Sequence, residues 1–153
     1  MNKLNVKLLD PRAKAPTVAT PGEDLGYDLY ALKDTILLIG QVTKVSTGIA
    51  ATAFRGIVFN EGFTHLDPLG MLIRDRSSMA AKGVFTHGGV IDAGYTGEIG
   101  VLMSVVGDQA YSIKAGDKIA QMVPVEVLTG SVEVVEELKG GGRGEAGFGS
   151  TGR

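Results

Sequence analysis

The chain has 153 residues, enough for one domain, since a domain of this size buries roughly 70% of its unfolded surface. It contains 23 glycines, 5 prolines and no cysteine, which predicts many tight turns and excludes disulfides and thiolate chemistry. The net charge of -2 argues against a general nucleic-acid binder. We expect a cytoplasmic protein that does not enter membranes, because no signal-peptide core and no long apolar run is visible.

Short segments of alternating apolar and polar residues, separated by glycine-rich breaks, predict strands along most of the chain. Turns at this spacing are typical of an all-β sandwich or barrel. The predicted strands cover 4–8, 26–31, 36–39, 41–52, 56–59, 63–66, 71–73, 90–91, 99–106, 111–113, 118–127 and 131–137.

One helix is predicted between residues 76 and 83. Ser77 or Ser78 would cap it, alanines fill it, and Gly83 would end it. Because a helix N-terminus offers free N–H groups to an anion, Arg76 and the two serines are candidates for binding phosphate. Taken alone, Arg76 is better explained as a surface charge, and the two serines are equally well explained as caps.

The segment 89–99 holds one carboxylate, Asp92, and one ring, Tyr95, between glycines. We expect a hairpin with Ala93 and Gly94 at its tip, whose exposed backbone groups could recognise a flat ligand. Asp92 would then lie on a rigid element, where a general base is useful. The alternative is a surface turn in which aspartate and glycine serve only the turn geometry.

The last residues, 140–153, are too rich in glycine to fold alone and predict a flexible arm. The arm nevertheless contains arginines, a phenylalanine and a Ser-Thr pair, which suit a backbone that wraps a polyanion and a ring that stacks on a base. We therefore expect the arm to close only when ligand is present.

Five separated motifs in one order resemble the trimeric deoxyuridine triphosphatases (dUTPases). The likeness runs along nearly the whole chain, and the motifs occupy 19–31, 76–84, 89–99, 116–121 and 143–152. The resemblance implies a distorted jelly-roll β-sandwich or barrel with one short helix, a β domain at 1–139 and an arm at 140–153 that closes over the active site. It implies hydrolysis of dUTP to dUMP and pyrophosphate with Mg²⁺ by a homotrimer with shared sites.

The resemblance also implies a role for each matching residue. Asp92 matches the aspartate that activates the attacking water, Tyr95 the ring that excludes a 2′-hydroxyl, and Asp28 a carboxylate that reaches the metal through water. The residues matching substrate-binding positions are Arg76, Ser77, Ser78 and Gln121 for the phosphates, Thr86, Val90, Ile91 and Gly100 for uracil, and Arg143, Phe148, Gly149, Ser150 and Thr151 on the arm.

Some positions depart from the resembled pattern. Ser78 replaces a frequent glycine and gives an Arg-Ser-Ser motif that also occurs in dCTP deaminases of the same fold, which leaves that activity as an alternative. The deaminase would need a glutamate where this chain has Leu102. A non-catalytic nucleotide-sensing trimer is a further alternative. The chain between Gly48 and Arg76 is longer than usual, and 55–68 is the expected insertion.

A pattern of alternating valines just before the arm bears on subunit assembly. Val125, Val127, Val132 and Val134 alternate with polar residues. Such a face is expected to bury either against another subunit or in the core of the same sandwich.

Overall fold

The structure, a computed structural model, describes residues 2–58 and 64–137. Residues 59–63 of the expected insertion and the expected arm, 140–153, lie outside these residues. Eleven strands and one short helix form the described part. The strands are β1 Asn2–Leu8, β2 Tyr27–Tyr30, β3 Thr35–Leu37, β4 Thr43–Val45, β5 Ile49–Val58, β6 Thr64–Arg74, β7 Val84–His87, β8 Val90–Ile91, β9 Val101–Val105, β10 Tyr111–Ile113 and β11 Lys118–Glu126, and the helix is α1 Ser77–Ala80.

The largest sheet has the strand order β1-β5-β6-β11-β2, with β8 added beside β6. A three-stranded sheet, β4-β9-β7, and a two-stranded sheet, β10-β3, complete the described fold. All the paired strands are antiparallel. The predicted all-β class with one short helix is therefore confirmed.

The core lies between the sheets and follows the two-residue period of the strands. In β9, Val101, Met103 and Val105 are buried, whereas the side chain of Leu102 between them is exposed. Met71 and Ile73 of β6 are likewise buried, and Met122 of β11 packs into the same cluster. β9 therefore has one face in the core and one face on which site residues can stand.

Two predicted strand boundaries were wrong, because the prediction did not account for the backbone conformation of Gly48 or for the length of the β5–β6 pairing. The segment 41–52 is split into β4 and β5, since Gly48 has φ +70, which ends the extended run. The short strand at 71–73 is the end of the eleven-residue β6, which pairs with β5 from Val58↔Thr64 to Ala53↔Leu69.

The prediction of a strand at 131–137 was also wrong. The chain leaves the sheet after Glu126, and no strand follows it within the described residues. Val132 and Val134 are 92% and 95% exposed, so their alternation with polar residues does not reflect burial in this chain's own core.

The helix is shorter than expected, with four residues, and the predicted serine cap is wrong. Arg76 occupies the N-cap position in an extended conformation and makes no side-chain capping bond, while Ser77 already belongs to the helix. Gly83 does follow the helical turn, with φ +74, a conformation that glycine adopts without strain. Among the described residues, no helix has the length and apolar character needed to cross a membrane.

Candidate active site

The loop that carries Asp92 is built differently from the predicted hairpin. The two strands that pair with β9 are β4 and β7, with His87 of β7 opposite Leu102, whereas β8 leaves this sheet and pairs with β6. The prediction that 90–91 and 99–106 form one hairpin was therefore wrong, although Ala93 and Gly94 do form a turn in which the Tyr95 N–H donates to the Asp92 carbonyl at 3.0 Å.

Two glycines allow this change of sheet. Gly88 has φ +54, and the Ile73 N–H donates to the Gly89 carbonyl at 2.7 Å. A Cβ on Gly89 would lie 2.5 Å from the Ile73 carbonyl oxygen, so a larger residue would separate the two chains. The pair thus lets the chain cross from the β7–β9 sheet to β6 and presents residues 90–100 as a loop between them.

A cavity of about 290 Å³ opens at this loop. We call it the Asp92 cavity. The Asp92 side chain is exposed there and has no hydrogen-bond or ion-pair partner within residues 2–58 and 64–137. Its lining residues are Lys44, Gly88, Val90, Ile91, Asp92, Tyr95, Glu98, Gly100 and Leu102.

The ring of Tyr95 is held in place from two sides. Its Oη donates a hydrogen bond to the backbone carbonyl of Glu98 at 3.0 Å. The ring also covers Gly97, where a Cβ would come within 2.5 Å of the same Oη. The aromatic wall of the Asp92 cavity therefore has a defined position although 43% of the Tyr95 surface is exposed.

Sequence reasoning missed two charged residues of this cavity, Lys44 and Glu98. Their Nζ and Oε2 atoms lie 3.5 Å apart, and Glu98 Oε1 accepts the Gly48 N–H at 3.0 Å. Lys44 reaches the cavity because β4 pairs with β9. That pairing joins segments more than fifty residues apart, which no local pattern indicates.

The candidate phosphate residues form a second group around Asp28. Arg76 Nε donates to Asp28 Oδ1 at 3.0 Å, and Lys118 Nζ lies 2.8 Å from Oδ2. Asp28 raises the pKa of the Lys118 ammonium, first through this hydrogen bond and then through its charge. Arg76 Nη1 also donates to Ser78 Oγ at 3.3 Å and to the Lys118 carbonyl at 3.1 Å. The guanidinium is therefore fixed by several contacts.

Strand register adds a row of polar residues to this group. Gln121 of β11 stands opposite Asp28 on one side and opposite Arg74 on the other. Residues directly opposite each other in an antiparallel sheet project to the same face. Arg74 is exposed and has no side-chain partner in the described part of the chain, so a further cation lies beside the amide of Gln121.

Thr86 is not in the Asp92 cavity. Its backbone N–H and its Oγ1 both donate to Asp75 Oδ1, at 2.6 and 2.8 Å. It lines a neighbouring cavity of about 250 Å³ that shares Gly88 and Val90 with the Asp92 cavity.

Within one chain, the site residues thus fall into two groups. None of Arg76, Ser77, Ser78 or Gln121 lines the Asp92 cavity. The described residues also contain no cluster of three or more His, Asp or Glu side chains able to hold a metal ion. The remaining candidates, on the arm, lie outside the described residues.

Comparison with known proteins now identifies the family. The dUTPase family model matches residues 63–152. The chain belongs to the dUTPase family. The deoxyuridine 5′-triphosphate nucleotidohydrolase of Solibacter usitatus is 36% identical over 99% of this chain and 97% of its own length. That of Clostridium tetani is 35% identical, with 98% and 97% covered.

Solved structures of the family support the same assignment. The dUTPase of Staphylococcus bacteriophage 80alpha with dUPNHPP has a TM-score of 0.79 and 27% identity, and both chains are covered completely. An aspartate-to-asparagine variant of the dUTPase of phage phi11 of S. aureus has a TM-score of 0.71 and 25% identity, with 90% of this chain and 99% of that chain covered. The latter structure is described as showing how a structural Mg(II) ion is coordinated.

Proposed function

We propose that this dUTPase hydrolyses Mg-bound dUTP to dUMP and pyrophosphate, with Asp92 as the base that activates the attacking water. The activity follows from the family, and the proposed chemistry is supported by one observation above all. Asp92 is an exposed carboxylate with no partner in the described part of the chain, and it shares its cavity with the fixed ring of Tyr95.

In the proposed step, a water oxygen attacks the α-phosphorus while its proton passes to a carboxylate oxygen of Asp92. The bond between the α-phosphorus and the oxygen that bridges to the β-phosphorus breaks, and pyrophosphate leaves with that bridging oxygen. General-base assistance of this kind contributes typically about 10²–10⁴-fold to a rate. An aspartate that forms no ion pair within the described residues is suited to this role.

The Tyr95 ring would pack against the deoxyribose. Because its Oη is tethered to Glu98 and its hydroxyl end lies over Gly97, the ring has little room to retreat from a larger sugar. A 2′-hydroxyl would be excluded by contact. The polar backbone around Val90, Ile91 and Gly100 is available in the same cavity to read uracil.

Arg76, Ser77, Ser78 and Gln121 would bind the phosphates. Asp28 orients Arg76 through Nε, and Lys118 balances the charge of Asp28 on its other oxygen. A fixed guanidinium beside an amide and hydroxyls is an arrangement suited to phosphate oxygens.

Mg²⁺ would arrive on the triphosphate and neutralise part of its charge. Both Asp28 oxygens already face a cation, which disfavours direct ligation of the ion. Each oxygen keeps a further lone pair, so Asp28 fits an acceptor for a metal-bound water.

The separation of the two groups supports a homotrimer with shared sites. A site made within one chain would bring Asp92 and Arg76 to one cavity, whereas here they line different surfaces. Val132 and Val134, almost fully exposed in the single chain, are available to pack against a neighbouring subunit. Arg143, Phe148, Gly149, Ser150 and Thr151 would close over the nucleotide from the arm.

Phosphate- and ammonia-release profiling against dUTP, dCTP, dTTP and UTP tests this function. We expect pyrophosphate from dUTP and little turnover of the others. Ammonia from dCTP would contradict the assignment, since Leu102 supplies no acid to a deaminase in the Asp92 cavity. Binding of dUTP without turnover would favour the nucleotide-sensing alternative.

A further inference from the structure

The mechanism above gives no role to the two charged residues Lys44 and Glu98 of the Asp92 cavity. Lys44 is on β4, directly opposite Leu102 of β9. Lys44 and Glu98 line the cavity together with Asp92 and Tyr95. A cation is therefore placed in the pocket where the base and sugar of the nucleotide would bind.

The position of Lys44 depends on a glycine. A Cβ on Gly100 would lie only 2.1 Å from Lys44 Cε, so the aliphatic stem lies across the backbone at a point that any other residue would block. The side chain is thus held against the cavity wall by its stem while its ammonium group remains accessible.

Glu98 holds the ammonium without using all its donors. Glu98 Oε1 accepts the Gly48 N–H at 3.0 Å, and Oε2 lies 3.5 Å from Lys44 Nζ. That second distance is longer than a good hydrogen bond. A lysine ammonium has three N–H donors and no acceptor, and no other partner for it is present within the described residues. Donors are therefore available to a ligand in the cavity.

Uracil and cytosine differ at C4 in whether the substituent accepts or donates a hydrogen bond, and an ammonium group can only donate to it. Uracil has a carbonyl oxygen there, which accepts a hydrogen bond, whereas cytosine has an amino group, which donates. We propose that Lys44 is a specificity-determining residue that donates to the C4 carbonyl of uracil and thereby disfavours cytosine. The proposal rests on the proposed function, because it concerns the same nucleotide pocket.

Glu98 contributes to the same discrimination. Its carboxylate would be a good acceptor for the amino group of cytosine, but its oxygens face the Gly48 N–H and the Lys44 ammonium. Removal of the Lys44 charge would release one oxygen to bind cytosine. Loss of Lys44 is thus expected to weaken the use of dUTP and to improve the use of dCTP.

Lys44→Met, which keeps an aliphatic stem, tests this inference with three substrates: dUTP, dCTP and the deoxynucleoside triphosphate of 3,4-dihydro-2-pyrimidinone, which lacks the C4 oxygen but keeps the N3 hydrogen. For the wild-type protein, removal of that oxygen is expected to lower kcat/KM by about 10–100-fold, the value of a charge-assisted hydrogen bond. The kcat/KM of Lys44→Met for dUTP should fall by a similar factor, mainly through a higher KM. Its kcat/KM for the analogue should equal its kcat/KM for dUTP.

Lys33→Met is the matched control, since Lys33 is exposed and lines none of the site cavities. It should behave as wild type on all three substrates. Lys44→Arg keeps a donor and should retain most of the preference for dUTP over dCTP.

An equal penalty for the missing oxygen in wild type and Lys44→Met would overturn the proposal. Should Lys44→Met fail to fold, the wild type can still overturn the proposal, because an unchanged kcat/KM on removal of the C4 oxygen excludes a role for Lys44. Absence of dUTP turnover in the wild type would instead contradict the proposed function, so the two failures are distinguishable.

Discussion

The hydroxyl of Tyr95 donates to the backbone carbonyl of Glu98 at 3.0 Å, three residues further along the same loop. The bond closes a small ring of backbone around Gly97 and places the hydroxyl end of the ring over that glycine. One aromatic wall of the Asp92 cavity is therefore shaped by contacts within the loop itself.

From this geometry we predict that Tyr95 selects the sugar. Tyr95→Ala should weaken dUTP binding and narrow the ratio of kcat/KM for dUTP over UTP, because the wall against the 2′ position is removed. Tyr95→Phe keeps the ring and loses only the bond to Glu98, so it should retain most of the ratio. A ratio that stays constant in Tyr95→Ala would place the sugar filter elsewhere.

Asp92→Asn should bind dUTP nearly as well as wild type and lose about 10²–10⁴-fold in kcat, since the amide cannot take the proton of the attacking water. Asp108→Asn serves as the control, because Asp108 is also an exposed aspartate but does not line the Asp92 cavity. Steady-state kinetics measure both. A kcat near the wild-type value in Asp92→Asn would show that Asp92 is not the base.

Gly83 offers a test of the scaffold behind α1. Its φ is +74, and an added Cβ would lie 2.3 Å from the Val106 carbonyl oxygen, so Gly83→Ala is expected to cost on the order of 1–3 kcal/mol. Gly130→Ala is the control, because nothing lies within 4 Å of a Cβ there. Thermal melting at one fixed protein concentration compares them. Equal melting temperatures for Gly83→Ala and Gly130→Ala would show that the loop at Gly83 accommodates the added Cβ without loss of stability.

The proposed shared site predicts complementation between two inactive proteins. A chain without residues 140–153 should remain folded and trimeric but lose most turnover, and Asp92→Asn should be inactive for a different reason. Co-refolding the two should restore part of the activity, because the arm of an Asp92→Asn chain can close over a site that contains Asp92 of a truncated chain. Inactive mixtures with proven subunit exchange would mean that each site belongs to one chain.

The fold class was predictable because each strand shows a local signal. Leu4 to Leu8 alternates in sequence and forms part of β1, and the strands predicted at 56–59 and 63–66 overlap β5 and β6. The pairing of β8 was not predictable, since it depends on Gly89 approaching Ile73 of a distant strand.

The candidate site shows the same division between local and distant contacts. Asp92 and Tyr95 are close in sequence and reach one cavity through one turn, so a local motif was enough to nominate them together. Lys44 comes from a strand that meets the loop only through tertiary pairing, and Lys118 joins Asp28 only across β2 and β11. No periodicity marks either lysine.

Hydrolysis of dUTP in water enriched in ¹⁸O tests the central claim most directly, because it follows activity and the position of attack together. We predict that the protein releases dUMP carrying one ¹⁸O atom on its phosphate and pyrophosphate without label, as required by attack on the α-phosphorus. Label in pyrophosphate, or no hydrolysis of Mg–dUTP by the full-length protein, would contradict it.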